Sequence, residues 1–274
     1  MTRRNDGRGH SYWDDAGERV QGVTRILDKA VPKPGLIGWA ANATVDHYMD
    51  HRDELASLPM SEAVKRLTAA RNVVNREATV KGTRVHKLAS SLAVGLEVVV
   101  PPELDGYVRA CVAFLDGWDA QTLYAERAVW SDGYDEPDVL TYAGTFDLIA
   151  DVLDWAPETR SPWDNQHAEI GRRRVLLDWK TGNGVYGETA WQLAAYRYAH
   201  WMDDGTATPM TMPPVDDTMV VHLRGDGTYE VIPLEAGPDQ WEDFLTLMRS
   251  ARVVASARDL IGEPLDPPAR TEQP

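Results

Sequence analysis

One short segment, Val175–Lys180 (VLLDWK), constrains the fold of this chain more than any other. It is an apolar, β-rich run with an acidic and a basic residue at its end, a pattern that predicts a strand of a sheet. Because side chains alternate along a strand, Asp178 and Lys180 share one face, about 6.5–7 Å apart. Leu177 and Trp179 lie on the other face, where they can be buried. The segment thus places a carboxylate and an ammonium side by side.

Other segments predict a sheet with helices around it. Further strands are expected at Leu123–Trp130 and Gly144–Leu153, with the first one extending over Arg174–Thr181. The turn Gly225-Asp226-Gly227 predicts a hairpin between two later strands, Met219–Arg224 and Thr228–Leu234. Helices are predicted from near Trp39, over 61–80, Thr83 to about Ala93, 104–120, Thr189–Met202, and from about Gln240 to Leu260. The fold class is therefore α/β, with a central mixed β-sheet flanked by helices and an N-terminal helical region.

A chain of 274 residues suits one elaborated domain. We expect a flexible polar segment over 1–20 and a disordered tail over 263–274. The domain would span 21–262, with 21–120 mainly helical and 121–262 forming the sheet core and its flanking helices. The polar excursion between Trp155 and Arg173 is expected to be a surface loop.

A second carboxylate, Asp147, lies in the segment before the strand of Asp178. In that segment one face is predicted to carry Phe146, Leu148, Ala150 and Val152, with Asp147 on the opposite face. If the two strands pair, Asp147 and Asp178 converge, and they repel each other unless a cation lies between them. Such oxygen ligands suit Mg²⁺ or Mn²⁺. The alternative is that Asp178 and Lys180 form an exposed strand pair and Asp147 is solvated.

The single cysteine, Cys111, excludes a disulfide or a cysteine-ligated zinc or iron–sulfur centre within one chain. Residues 1–18 have no apolar core of the signal-peptide type. No run approaches the ~20 apolar residues that span a bilayer. We expect a soluble protein in the cytoplasm, without a membrane contact.

The net charge of −15 argues against a protein that coats nucleic acid by charge alone, but not against a carboxylate site for divalent cations. Segment 62–87 is locally basic, with seven Lys and Arg against Glu62 and Glu77, and it leads to His86. We expect part of it to contact phosphates; a solvated helix face is the alternative. A second cluster, Arg172–Arg174, is open between phosphate binding and a solubilising loop.

Four short motifs in order resemble the PD-(D/E)XK nuclease superfamily. They are Gly82-x-x-x-His86, Gly144-x-x-Asp147, Asp178-x-Lys180-Thr181 and Gln192-x-x-x-Tyr196. The RecB-nuclease-like and Cas4-like branch, which includes phage exonucleases, is the most similar, and residues 23–40 resemble the leader of phage-encoded members. The resemblance covers about residues 20–200 and implies a restriction-endonuclease-like core. Members with an iron–sulfur cluster carry four cysteines, so that cluster is not expected here.

The resemblance also implies roles for the motif residues. Asp147 and Asp178 would be metal ligands and catalytic, His86 would approach the metal through an imidazole nitrogen, and the backbone carbonyl of Trp179 would add a ligand. Lys180 would orient or activate the attacking water and offset charge on the scissile phosphate.

Other residues are assigned around this centre. Gln192 and Tyr196 share a helix face and would position DNA, as would Arg84; without the family they are ordinary helix residues. Glu126 would support a second metal ion or the ligands of the first, or be a structural carboxylate. Tyr186 would stack on an unpaired base or, as the favoured alternative, pack against the protein.

The expected activity is that of a Mg²⁺- or Mn²⁺-dependent DNA exonuclease in phage recombination, replication or DNA degradation, acting in the host cytoplasm. Its partners would be linear double- or single-stranded DNA and a recombination or replication protein, and an oligomer is compatible with this. An endonuclease on the same fold is one alternative, and a DNA-binding or assembly module with little turnover is the other. RNA cleavage is less favoured, since no feature reads a 2′-hydroxyl.

Overall fold

The computed structural model describes residues 1–5, 10–132, 141–155, 171–206 and 208–264. Helices flank a mixed, curled β-sheet in this α/β fold. The strands are β1 (Thr2–Asn5), β2 (His10–Trp13), β3 (Arg19–Gly22), β4 (Gln121–Ser131), β5 (Tyr142–Leu153), β6 (Arg172–Lys180), β7 (Trp201–Met202), β8 (Met210–Thr211), β9 (Asp217–Leu223) and β10 (Tyr229–Pro233). The helices are α1 (Val23–Ala30), α2 (Pro34–Asp50), α3 (Arg52–Ala56), α4 (Met60–Ala93), α5 (Asp105–Gly117), α6 (Glu188–Arg197) and α7 (Pro238–Ser256).

Strand β5 is the centre of the sheet because three strands pair with it. Strand β4 runs antiparallel along one edge of β5 and continues to β7 and β8. The other edge is shared by two partners. Strand β3 pairs in parallel with residues 142–143, and β6 pairs antiparallel with residues 148–153. Residues 144–147 therefore lie between two ladders, and this gap positions the candidate site.

Both faces of the sheet are covered by helices, which explains the apolar character of its central strands. On one face, α1, α6 and α7 bury a cluster that includes Ile26, Leu193 and Phe244. On the other face, α4 and α5 bury a second cluster around Val85, Phe114 and Trp179. Strand β6 serves both clusters, since Leu176 belongs to the first and Leu177 to the second. The predicted alternation of this strand is confirmed.

Three helix predictions need correction. The helix expected over Thr189–Met202 is shorter, since α6 ends at Arg197 and Trp201–Met202 form β7. Residues 60–93 form one continuous helix, α4, where a break was expected at Gly82-Thr83. Glycine costs a helix about 1 kcal/mol, which the 34-residue helix tolerates, and the Thr83 hydroxyl donates to the carbonyl of Thr79. The helix expected near Trp39 begins earlier, at Pro34, a residue type favoured in the first helical turn.

The N-terminal residues also differ from expectation. Instead of a flexible segment, 1–20 contains β1, β2 and the start of β3, which pair in sequence and join β5 through Gln21 and Gly22. Their sequence is short and charged, so it carries no pattern of its own. Burial comes from distant partners, because Tyr12 and Val20 pack with Ala143.

Three further predictions concern the sheet turn, the long loop and the tail. The hairpin is confirmed: β9 and β10 pair antiparallel around Gly225–Gly227. Most of the loop expected between Trp155 and Arg173, and nearly all of the tail over 263–274, lie outside the described residues. Within the described part of the chain, no helix has both the length and the apolar character needed to cross a membrane.

Helix α5 packs on the β9–β10 turn through Gly106. A Cβ added at Gly106 would lie 1.7 Å from the carbonyl oxygen of Gly225. Gly106→Ala is therefore expected to destabilise the protein by about 1–3 kcal/mol, measured by chemical denaturation, because backbone must move apart. Gly38→Ala in α2 is the matched control, since no described atom lies within 4 Å of its added Cβ. That change should stabilise by about 0.4–1 kcal/mol. Equal effects of the two substitutions would contradict the packing described.

Candidate active site

Asp147 lies in the gap on β5 between its ladder with β3 and its ladder with β6. The β5–β6 ladder ends at the pair Leu148–Leu177. Beyond it the Asp147 side chain replaces a backbone acceptor: its Oδ2 accepts a hydrogen bond of 2.8 Å from the Trp179 backbone N–H. Its Oδ1 lies 3.2 Å from Nδ1 of His86 on α4. One carboxylate thus links β5, β6 and α4.

The prediction from the sequence placed Phe146 on the wrong face of β5. Leu148, Ala150 and Val152 lie in the cluster under α4 and α5, as expected, but Phe146 belongs to the cluster under α1, α6 and α7. Strict alternation breaks at Asp147, where the β5–β6 ladder ends. Groups from both faces of the sheet can therefore reach the gap.

Asp178 is held from two directions. Its Oδ2 lies 2.6 Å from Lys180 Nζ, and its Oδ1 accepts a 3.0 Å hydrogen bond from the Gln192 side-chain amide. The Asp178 side chain is only 5% exposed, so the alternative of an exposed strand pair is wrong. The same-face prediction for Asp178 and Lys180 is confirmed.

Gln192 and Tyr196 lie on the same face of α6, and both belong to the surroundings of Asp178. The Gln192 amide donates to the Tyr196 hydroxyl over 3.3 Å. The Tyr196 ring lies against Gly144, where an added Cβ would be 2.3 Å from Cε1 of the ring. Two of the four motifs are thus coupled sterically: glycine at 144 lets the tyrosine ring approach β5.

The electrostatics of the His86–Asp147 pair favour a protonated, positively charged histidine. Burial lowers the pKa of His86, but the charge and hydrogen bond of Asp147, together with the charge of Asp178, outweigh burial and raise this pKa to about 9. Burial alone would raise the pKa of Asp147. The charge and hydrogen bond of His86, the Trp179 N–H and the charge of Lys180 lower it instead.

In the Asp178–Lys180 pair, the pKa values of both the acid and the base are raised. Burial and the charge of Asp147 raise the pKa of Asp178, against the lowering effect of Lys180. Burial lowers the pKa of Lys180, but the Asp178 carboxylate outweighs it and raises this pKa above its usual value. Lys180 is therefore an ammonium ion at neutral pH. The two acids and two bases together form a cluster of near-zero net charge.

The donor set could hold a divalent cation after a rearrangement. Two buried carboxylates and an imidazole are ligands that Mg²⁺ or Mn²⁺ accepts. In the described residues, however, no group of three or more His, Cys, Asp or Glu side chains is arranged around a common point. His86 contacts Asp147, and Lys180 contacts Asp178. A cation would take the place of the His86 proton, since only neutral imidazole binds a metal.

Several predicted contact residues are engaged elsewhere. Arg84 lies two residues before His86 but pairs with Glu103 at 2.9 Å. In the same basic segment, Arg66 pairs with Glu54 and Glu62. To contact a phosphate, either arginine would have to leave its carboxylate.

The arginine cluster at the start of β6 is structural. Arg172 pairs with Asp119, Arg173 with Asp154 and Asp217, and Arg174 with Asp151. These carboxylates come from neighbouring strands and from the turn after α5. The ion pairs clamp the end of the sheet opposite the site, since β6 runs from Arg172 to Lys180.

Glu126 and Tyr186, two further residues singled out from the sequence, differ in their surroundings. Glu126 is half-buried on β4, and its carboxylate accepts a 3.2 Å hydrogen bond from Ser90, one helical turn after His86. Burial and the charge of Asp147 raise the pKa of Glu126. Tyr186, favoured as a packed residue, is 64% exposed in the segment between β6 and α6. The favoured prediction, that Tyr186 packs against the protein, is therefore wrong.

The sequence interpretation missed a basic cleft beside the site. A cleft of about 430 Å³ shares Gly144, Thr145 and Tyr196 with the surroundings of the cluster. Its cationic lining consists of Arg19, Arg25 and Lys29, joined by His10. Among the described residues no carboxylate lines this cleft, and those three cations form no ion pair. Arg25 and Lys29 are spaced four apart on α1, a signal that a search of helix faces could have found.

The chain matches no protein-family model and no curated protein. The resemblance to a nuclease superfamily therefore rests on the four sequence motifs.

The raised pKa of His86 makes stability depend on pH. The His86–Asp147 pair contributes fully below pH 6.5, the ordinary pKa of histidine, and its contribution is lost as pH rises through about 9. In metal-free protein, the thermal midpoint of the wild type should exceed that of His86→Asn by a margin that shrinks across this window. The variant keeps the titrating groups outside the cluster, so it serves as the reference across this pH range. A constant margin from pH 6 to 10 would contradict the assignment.

Proposed function

We propose that this chain is a metal-dependent DNA nuclease with a restriction-endonuclease-like core, hydrolysing phosphodiester bonds as an exonuclease. The observation that carries the proposal is the buried cluster of His86, Asp147, Asp178 and Lys180 in the gap on β5. Its four residues come from three of the motifs that resemble the PD-(D/E)XK superfamily, and the fourth motif supplies Gln192 and Tyr196 around it.

Stability alone is a poor reason for such a cluster. Ionised groups lose hydration on burial, and apolar residues of similar size are often at least as stable. Buried titratable groups with shifted pKa values are concentrated at functional sites. His86 and Lys180 keep 28% and 29% of their side-chain surface exposed, so the cluster is open to solvent on its cationic side.

Each residue has a chemical role in this proposal. Asp147 and Asp178 would hold Mg²⁺ or Mn²⁺ with His86 and the Trp179 carbonyl; the bound ion would polarise the phosphate and activate water. The Trp179 N–H and the Gln192 amide orient the two carboxylates. Lys180 keeps its proton, because its pKa is raised. It would therefore orient water and offset negative charge on the phosphate rather than accept a proton.

The basic cleft supports a polyanionic substrate. In a chain with net charge −15, the cleft is lined by three cations, and the described residues contribute neither an ion pair to these cations nor a carboxylate to the lining. Nucleic acid affinity comes mainly from cations that contact phosphates. The cleft reaches the cluster through Tyr196 and Thr145, so a strand lying in it would lead to the proposed site of cleavage.

The activity is tested with Asp178→Asn and Lys180→Gln. Each is expected to lower the rate of Mn²⁺-dependent cleavage of linear DNA by about a hundredfold or more, because each removes a charge from the reacting centre. Exposed Asp46→Asn and Arg252→Gln remove the same charges outside the cluster and should leave the rate unchanged. Mn²⁺ should also raise the thermal midpoint of the wild type but not that of Asp178→Asn.

Two results would contradict the proposal. One is degradation of DNA at equal rates by the wild type and both variants, and the other is no degradation by any of them with Mg²⁺ or Mn²⁺. Covalently closed circular DNA tests the mode of cleavage, since an obligate exonuclease leaves it intact.

The cleft is tested with the double variant Arg25→Gln/Lys29→Gln. We expect KM for linear DNA to rise about tenfold with kcat within about twofold, since phosphate contacts are lost far from the reacting atoms. The slope of log Kd against log salt should fall by about one for each lost contact. Arg249→Gln/Arg252→Gln on α7 removes the same charge from an exposed helix face and is the control. Equal loss of affinity in both double variants would exclude a specific role for the cleft.

A further inference from the structure

The N-terminal strand β1 reaches the active site through one side chain. Arg3 Nη1 donates to the backbone carbonyl of Glu126 over 2.9 Å and to the Thr145 hydroxyl over 3.4 Å. Thr145 lies two residues before Asp147 on β5. Glu126 lies on β4, directly across from Asp147 in the register that pairs Ala125 with Leu148. Both acceptors therefore flank the carboxylate on which the site depends.

The backbone at Glu126 is strained. Its φ is +53°, in the left-handed region that residues other than glycine rarely adopt. Such a conformation persists only where neighbouring groups hold it, and it is concentrated at functional sites. Here Arg3 holds the carbonyl and Ser90 holds the side chain. The strained residue lies opposite the point where the alternation of β5 breaks.

A second contact ties the same N-terminal hairpin to β5. The buried Tyr12 on β2 places its hydroxyl 2.9 Å from the Thr145 hydroxyl. Arg3 and Tyr12 thus converge on one side chain, from two strands of one hairpin. The neighbouring Arg4 does not take part: its guanidinium lies over the Trp13 ring, 5.1 Å from the ring centroid.

We propose that Arg3 is a positioning residue of the active site, which holds the left-handed Glu126 and Thr145 so that Asp147 meets His86 and Trp179. This inference rests on the proposed nuclease function. It assigns β1 a role in turnover, in addition to its place at the edge of the sheet.

Arg3→Ala and Arg4→Ala test the proposal as a matched pair, because they remove the same charge from adjacent positions of one strand. With linear DNA and Mn²⁺, Arg3→Ala should lower kcat at least tenfold with KM within about twofold. Arg4→Ala should change neither. Added guanidinium ion at millimolar concentration should restore part of the kcat of Arg3→Ala and leave the wild type unaffected, a rescue that loss of structure would not permit.

Tyr12→Phe removes only the second contact and keeps the buried ring, so it remains informative if Arg3→Ala does not fold. It should lower kcat by a smaller factor, about threefold, at an unchanged thermal midpoint. A wild-type kcat in both Tyr12→Phe and Arg3→Ala, or an equal fall in Arg3→Ala and Arg4→Ala, would overturn the positioning role alone. A wild type that neither cleaves DNA nor binds Mn²⁺ by calorimetry would instead overturn the nuclease function, and this inference with it.

Discussion

The hydrogen bond from the Trp179 N–H to Asp147 is the interaction on which the site depends. It forms where the β5–β6 ladder stops, so a side chain satisfies a buried donor that the next strand would otherwise satisfy. Because Oδ2 is occupied in this way, Oδ1 is free to meet His86. One carboxylate therefore continues the contact between β5 and β6 beyond the end of their ladder and links both strands to α4.

The charges of the cluster are arranged by depth. Asp147 and Asp178 are almost covered, whereas more than a quarter of each cationic side chain, His86 and Lys180, reaches solvent. The solvent-facing side of the cluster is therefore lined by its two cationic side chains, although the chain as a whole carries a net charge of −15.

Patterns within single elements predicted much of this structure, while contacts between distant elements were beyond them. The alternation along β6 predicted the burial of Leu177 and Trp179 on one face, and it predicted that Asp178 and Lys180 share the other face. The N-terminal strands were missed because the burial of Tyr12 and Val20 depends on Ala128, Trp130 and Ala143, which lie far along the chain.

The same distinction between local patterns and distant contacts applies to the candidate site. The motifs identified its residues, but the contact between His86 and Asp147 depends on where the β5–β6 ladder ends. The spacing of residues along the sequence does not reveal that end. Counting charges along the chain did not show that Arg84 and Arg172 are ion-paired, since their carboxylate partners come from other elements.

The shared edge of β5 also bears on synthesis at the ribosome. Strand β3 can pair with β5 only after Tyr142, the partner of Gln21, has been synthesised about 120 residues later. At about 5–20 residues per second this delay is roughly 6–24 s, so the N-terminal hairpin leaves the ribosome well before the strand that completes it.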